Sequence, residues 1–207
     1  MTQSLAITDY IDSLAAVEAR FGLSFQPDPD FFTEWIVDRP PLTIAEQQRL
    51  DLIKQRYLYH RQLGHLLEGA VNFIVIAPLL ELAGFYDPPF RLRSETSIRI
   101  EIADEEDKIY QGRIDSLVVQ NHLWIVLVEA KRTSFSIDVA LPQTLAYMFA
   151  NPTPEEPTFG LVSNGAYSMF VKLHHQQYGF SEDFSLNRRR NELHEVLQIL
   201  NRLKTMI

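Results

Sequence analysis

The chain has 207 residues, 46% hydrophobic and 22% charged, enough for a globular domain that buries a core. It contains no cysteine, which excludes a disulfide framework and a thiolate metal site, and its formal net charge of −8 excludes coating nucleic acid through a uniformly basic surface. The opening MTQSLAITDYIDS lacks the basic start and apolar run of a signal peptide, and the most apolar stretch, Ala70 to Ala83, is short for a bilayer span and holds Pro78, so no membrane role is expected and the cytoplasm is the expected location.

Between residues 4 and 20, Leu5, Ile11, Leu14, Ala15 and Val17 recur ahead of Gly22, which predicts an amphipathic helix with a glycine stop. QPDPDFFTEWIVDRPPLT reads as a proline-punctuated connector. Thr43 and Glu46 have the spacing of a capping box, so a second helix is expected from Ile44 through EQQRLDLIKQRYLYHRQ, with Gly64 as an interruption. From His65 to Ala83 the chain reads as helix again, apolar nearly all the way round, as a core helix is. Period-two alternation then sets Thr96, Ile98, Ile100 and Ile102 on one side of a strand, with Arg99 and Glu101 on the other.

Residues 109–119 and 123–131 read as two strands around the turn Gln120-Asn121-His122, and VALPQTLAYMFAN reads as a helix. TFGLVS and AYSMFVKL follow as strands joined by Asn164-Gly165, a strong hairpin signal, and a last helix is expected from about Leu186 to Leu203. This order predicts a single mixed α/β (α+β) domain over 1–207, with a central mixed sheet of about five strands flanked by helices. Residues 1–45 would form a helical extension, 60–175 the core and 186–203 a closing helix. There is no internal repeat.

Chemistry concentrates in GRIDSLVVQNHLWIVLVEAKRTSF, residues 112–135. If the turn centres on His122, residues whose numbers sum to 244 stand opposite each other, so Asp115 faces Glu129, and Lys131 projects from the same side. The neighbours Ile114, Leu117, Val119, Ile125, Leu127 and Val128 are apolar, which puts the three ionisable groups at a partly desolvated strand end. Two facing carboxylates repel unless a cation neutralises them, and an oxygen-rich site without sulfur or histidine suits Mg²⁺ or Mn²⁺.

An Asp, thirteen residues, a Glu, one residue and a Lys, in that order, resembles the PD-(D/E)xK nuclease superfamily. The resemblance implies that Asp115 and Glu129 hold the metal, that the Ala130 carbonyl adds a ligand, and that Lys131 orients or activates the attacking water. The family's proline before the first acid is replaced here by Ile114. Gln143 and Tyr147, one helical turn apart, look like the Gln-x-x-x-Tyr element of the subgroup that includes RecB-type nucleases and the N-terminal nuclease region of type I restriction enzyme R subunits. LLEGAVNFIVIAPLLELAGF is similar to the core helix that opens those regions, with Glu68 in place of their helical acid, and GLVSNGAYSMFVKL to the strand pair that ends them. Over residues 60–175 the resemblance implies a restriction-endonuclease-like core, Mg- or Mn-dependent cleavage, and DNA as partner. It leaves open a homodimer or a separate targeting protein.

Other readings fit the same residues. Asp115, Glu129 and Lys131 also suit a structural ion pair at a strand end, and Glu68 suits a buried acid paired to Arg113 or to its own helix start. Gln143 and Tyr147 also suit plain helix positions, and Arg188–Arg190 a solvated helix start. The six histidines, among them His174-His175, show no metal-ligand spacing. Two further function classes stand beside the nuclease: a non-cleaving restriction-endonuclease-like DNA-binding or assembly module, and a metal-free hydrolase using Asp115 and Glu129 as an acid/base pair.

Overall fold

The computed structural model describes residues 4–6, 11–64, 66–94, 97–101, 109–113, 116–119, 123–127, 137–151 and 155–206. Ser4–Ala6, expected within the first helix, forms strand β1, paired in parallel with residues 109–111. Helix α1 (Leu14–Phe21) begins later because Ser13 caps it, its hydroxyl accepting from the Ala16 amide at 3.2 Å, and Gly22 ends it in the left-handed conformation at φ 64°. Strand β2 (Ser24–Phe25) and a 3₁₀ turn (Pro29–Phe32) follow.

Helix α2 (Ile44–Gln62) starts where its capping box is written: Glu46 N–H donates to Thr43 Oγ1 at 3.2 Å, and Thr43 N–H donates to Glu46 Oε2 at 2.7 Å. Helix α3 covers 68–83, with a π turn (Asn72–Ile76) between α-helical Glu68–Val71 and Ala77–Ala83. It opens at Glu68; His65, the expected start, lies outside the described residues. Its all-round apolar sequence does not mean all-round burial. Val71, Val75, Ile76, Leu79, Leu80 and Ala83 are buried, yet Phe73 is 80% exposed.

Strands β3 (Leu92–Ser94), β4 (Ser97–Glu101), β5 (Ile109–Arg113), β6 (Ser116–Val119) and β7 (Leu123–Leu127) come next, then a 3₁₀ turn (Ile137–Ala140) leading into α4 (Leu141–Phe149). Strands β8 (Thr158–Ser163), β9 (Tyr167–His174) and β10 (Gln177–Ser185) precede α5 (Leu193–Leu203). The main sheet has seven strands in the order β2-β10-β9-β8-β7-β6-β3, and a second sheet has three in the order β1-β5-β4. The class is mixed α/β as expected, with more strands than the five read from the sequence. The stretch 109–119, expected as one strand, is divided between the two sheets, β5 in one and β6 in the other.

Strand β10 occupies a stretch to which the sequence reading assigns no element. Its alternation is broken by Gly179 and by a register shift between Phe180 and Asp183, so no clean period of two survives in QYGFSEDFS. The last helix begins at Leu193, not Leu186, because the preceding segment is tied down as a loop. Lys54 Nζ donates to the carbonyls of Arg188, Arg189 and Arg190, and buried Glu192 accepts from the Ser185 amide at 2.7 Å. The three arginines are therefore not a solvated helix start; Arg188 pairs with Asp183 and Glu192, and Arg190 with Glu192 and Glu195.

Two cores sandwich the main sheet. On one side α2, α3 and α5 cover Leu123, Phe159, Leu161, Phe170 and Phe184. On the other α1 and α4 cover Val162, Val171, Leu173 and Tyr178. Alternate residues of β8 and β9 serve alternate cores, as the strand pleat requires. Residues expected to be an extension, Val17 and Phe21 among them, belong to the second core.

Candidate active site at the carboxyl edge of the sheet

The hairpin β6–β7, the crossover through α4 and the parallel return of β8 beside β7 set the frame. The β6–β7 ladder pairs Ser116 with Val126, Leu117 with Ile125, Val118 with Trp124 and Val119 with Leu123. These numbers sum to 242, where the sequence reading expects 244, so the ladder is shifted by two. Asp115, Glu129, Ala130 and Lys131 themselves lie outside the described residues, as does Ile114.

In the parallel pair, Leu127 stands beside Ser163, so both strands end at the same edge of the sheet. The turn after β8 is fixed there by its own side chains. Asn164 Oδ1 accepts from the amides of Ala166 and Tyr167 at 3.0 and 2.9 Å, and Ser163 Oγ accepts from the Gly165 amide at 3.1 Å while lying 3.0 Å from Ser168 Oγ. Gly165 has φ 82°, and a Cβ there would lie 2.8 Å from a methyl of Val71 and 3.2 Å from the Tyr57 ring. That close approach seats the first turn of α3 against the carboxyl edge. Glu68, which opens α3, is half-buried, and one turn later the buried Asn72 Oδ1 has no hydrogen-bond partner among the described residues.

Gln143 and Tyr147 lie on α4, which packs on the other side of the sheet. Helix α4 crosses β8 at Gly160, where a Cβ would lie 3.1 Å from Met148 Sδ and 3.2 Å from Thr144 Cγ2, so the absence of a side chain lets the helix settle onto the strand. Pro142 in the first turn and the bond from Thr144 Oγ1 to the Ala140 carbonyl, 2.7 Å, organise its start. Gln143 is half-buried and donates through Nε2 to Tyr147 Oη at 2.5 Å, while Tyr147 is completely buried. The i, i+4 pair is thus a bonded unit with a fixed amide at the beginning of the crossover helix.

Residues without a local sequence signal tie the sheet together, Ser163 and Ser168 at this edge and Lys172 toward the opposite one. Ser163 and Ser168 are cross-strand partners joined through their hydroxyls, which only the β8–β9 register reveals. Lys172, buried on β9, donates to Glu34 Oε1 at 2.6 Å and to the Phe31 carbonyl at 2.7 Å, an ion pair between residues 138 apart that no local pattern announces. His174 and His175 stack at 4.1 Å, with burial lowering the pKa of His174. Among the described residues, no group of three or more His, Cys, Asp or Glu side chains is placed to hold a metal, and no helix is long and apolar enough to cross a membrane. No known family model matches the chain, and no curated protein matches it.

Proposed function

We propose that the chain is a metal-dependent phosphodiesterase acting on DNA, of the PD-(D/E)xK type, with Asp115, Glu129, the Ala130 carbonyl and Glu68 as oxygen donors for Mg²⁺ or Mn²⁺. The observation that carries this reading is the topology: an antiparallel hairpin, a crossover helix and a strand parallel to the hairpin's second member, with the first turn of α3 seated at the carboxyl edge. Leu123 packs in the core shared with α3, so alternation gives that side to the odd-numbered positions of β7 and, through the ladder, of β6. The reading takes this alternation to continue beyond the described stretches, and 115, 129 and 131 are odd.

Asp115 immediately precedes Ser116, the ladder partner of Val126, and Glu129 follows Leu127 by two residues, so both acids neighbour the same end of the hairpin in sequence. An all-oxygen donor set fits Mg²⁺ or Mn²⁺, and the ion, when bound, supplies charge to the phosphate and a water of lowered pKa. Lys131, in this reading, orients that water through its ammonium group and offsets charge developing on the phosphate oxygens. The Gln143 amide, held by Tyr147, contacts the DNA backbone in this reading.

The test is incubation of the purified protein with labelled single- and double-stranded DNA in Mg²⁺, Mn²⁺ or EDTA. Cleavage with either ion and none in EDTA is expected. Cleavage that is unaffected by EDTA and survives Asp115→Ala would overturn the proposal.

A further inference from the structure

Helix α2 carries a stripe that its packing does not use. Leu50, Ile53 and Tyr57 point into the core, while on the other side Ala45, Arg49, Leu52, Arg56, Tyr59 and Leu63 recur at spacings of four, three, four, three and four. Tyr59 is 60% and Leu63 72% exposed, both arginines are exposed, and Leu52 is half-buried. The stripe contains no acid in a chain of net charge −8, and neither arginine forms an ion pair among the described residues. It also leads somewhere: Leu63 ends the helix, and five residues later Glu68 opens α3 at the edge described above.

We infer that this stripe is a track for single-stranded DNA leading to the carboxyl edge of the sheet, an inference that rests on the nuclease reading for its destination. The chemistry selects the occupant. Arg49 and Arg56 lie two turns apart, about 10.5 Å along the helix axis, and attract an anionic polymer to a face from which acids are missing. Between and beyond them Leu52, Tyr59 and Leu63 offer flat apolar area that matches unstacked bases, and a ring beside a cation is the combination by which proteins hold single strands without reading sequence. A duplex hides its base faces and would leave Tyr59 and Leu63 without a complement. A second copy of the chain docked antiparallel on the same stripe is the competing occupant, which sedimentation distinguishes from a strand.

The experiment is fluorescence anisotropy in EDTA, using labelled oligo-dT of roughly 20 nucleotides and its duplex with oligo-dA, against wild type, the Arg49→Ala/Arg56→Ala variant and Tyr59→Ala. The single strand is expected to bind more tightly than the duplex. Removing two phosphate contacts should flatten the slope of log affinity against log salt by about 1.4, at about 0.7 per contact, and Tyr59→Ala should weaken binding on the order of tenfold. Equal binding by all three proteins, or preference for the duplex, overturns the track. So does self-association in sedimentation that the variants abolish while strand binding is unchanged. Because binding is read in EDTA, loss of binding in the variants with no cleavage by wild type in any metal would uphold the track and refute the nuclease. Wild-type cleavage of single strands by the variants, at unchanged KM, would do the reverse.

Discussion

Gly165→Ala tests the contact that seats α3 at the edge of the sheet. The position has φ 82°, a left-handed conformation that costs an L-residue with a side chain roughly 1–2 kcal/mol. The added methyl would also lie 2.8 and 2.9 Å from the two methyls of Val71, inside any real carbon–carbon contact, and such crowding in a packed region costs about 1–3 kcal/mol. Lower freedom in the unfolded chain offsets about 0.5 kcal/mol. A net loss near 3 kcal/mol is expected, which for a chain of this size lowers the melting temperature by about 6–12 °C. Differential scanning calorimetry on the variant measures it. Adding Val71→Ala removes the clashing methyls, so the double variant should be about 1–2 kcal/mol more stable than the sum of the single losses. A Gly165→Ala protein that melts within a degree of wild type, or strict additivity in the cycle, would refute the close approach.

Asp115→Ala or Glu129→Ala should remove most divalent-ion binding and all cleavage; unchanged Mn²⁺ affinity by calorimetry in both would eliminate the proposed ligand pair. Lys131→Met should keep ion binding while slowing cleavage by orders of magnitude, and a variant that cleaves like wild type rules out its role at the nucleophile. Glu192 is pushed up in pKa by burial, but the Ser185 amide and the Arg188 guanidinium outweigh this and hold it below its ordinary 4.5. Its contribution is therefore present above that pH and lost as pH falls through the lower folded value, so Glu192→Gln should cost about 1–3 kcal/mol near neutrality and progressively less in acid. A cost in urea unfolding that does not vary from pH 7 to pH 3 contradicts the bonding described.

Local signals were legible wherever one residue determines one bond. Thr43 with Glu46 located the start of α2, Gly22 located the end of α1, and Asn164-Gly165 located the β8–β9 turn, because a cap, a left-handed stop and an Asx turn are each made within a few residues. What depended on distant partners was not legible. The strand Ser4–Ala6 exists through pairing with residues 109–111, β10 hides behind a register shift, and the loop before α5 is held by Lys54 from 134 residues away. The hairpin register shows the same boundary: the two strands were legible from their composition, but their register, with pairs summing to 242 and not 244, is decided by the ladder. Of the candidate site, the sequence paired Gln143 with Tyr147, which are bonded, while Asp115, Glu129 and Lys131 lie outside the described residues. It did not supply the opposite sides from which Glu68 and Gln143 approach.

Those opposite approaches give the last test its form. The chain leaving β7 passes to α4 in the second core, while the turn after β8 lies under α2 and α3 in the first, so the segments following two adjacent strands depart to opposite faces. The carboxyl ends of the strands are the place where open α/β sheets bind ligands, and the proposed function puts the phosphodiester there. If one phosphodiester binds there, Gln143→Ala should lower cleavage at least about tenfold, or 1.4 kcal/mol in transition-state energy, with little change in melting because the side chain is half-exposed and outside the packed core. Tyr147→Phe should act more weakly on cleavage, since the buried ring is kept, yet it frees the Gln143 amide from its fixed position. Combining Gln143→Ala with Glu68→Gln then separates shared chemistry from separate packing. The two lie in different layers, so their stability effects should add, whereas their effects on cleavage should fall short of the product of the single losses if both groups act on one bound phosphate. Additive losses in stability and in rate alike would mean that the two sides of the sheet do not serve one site.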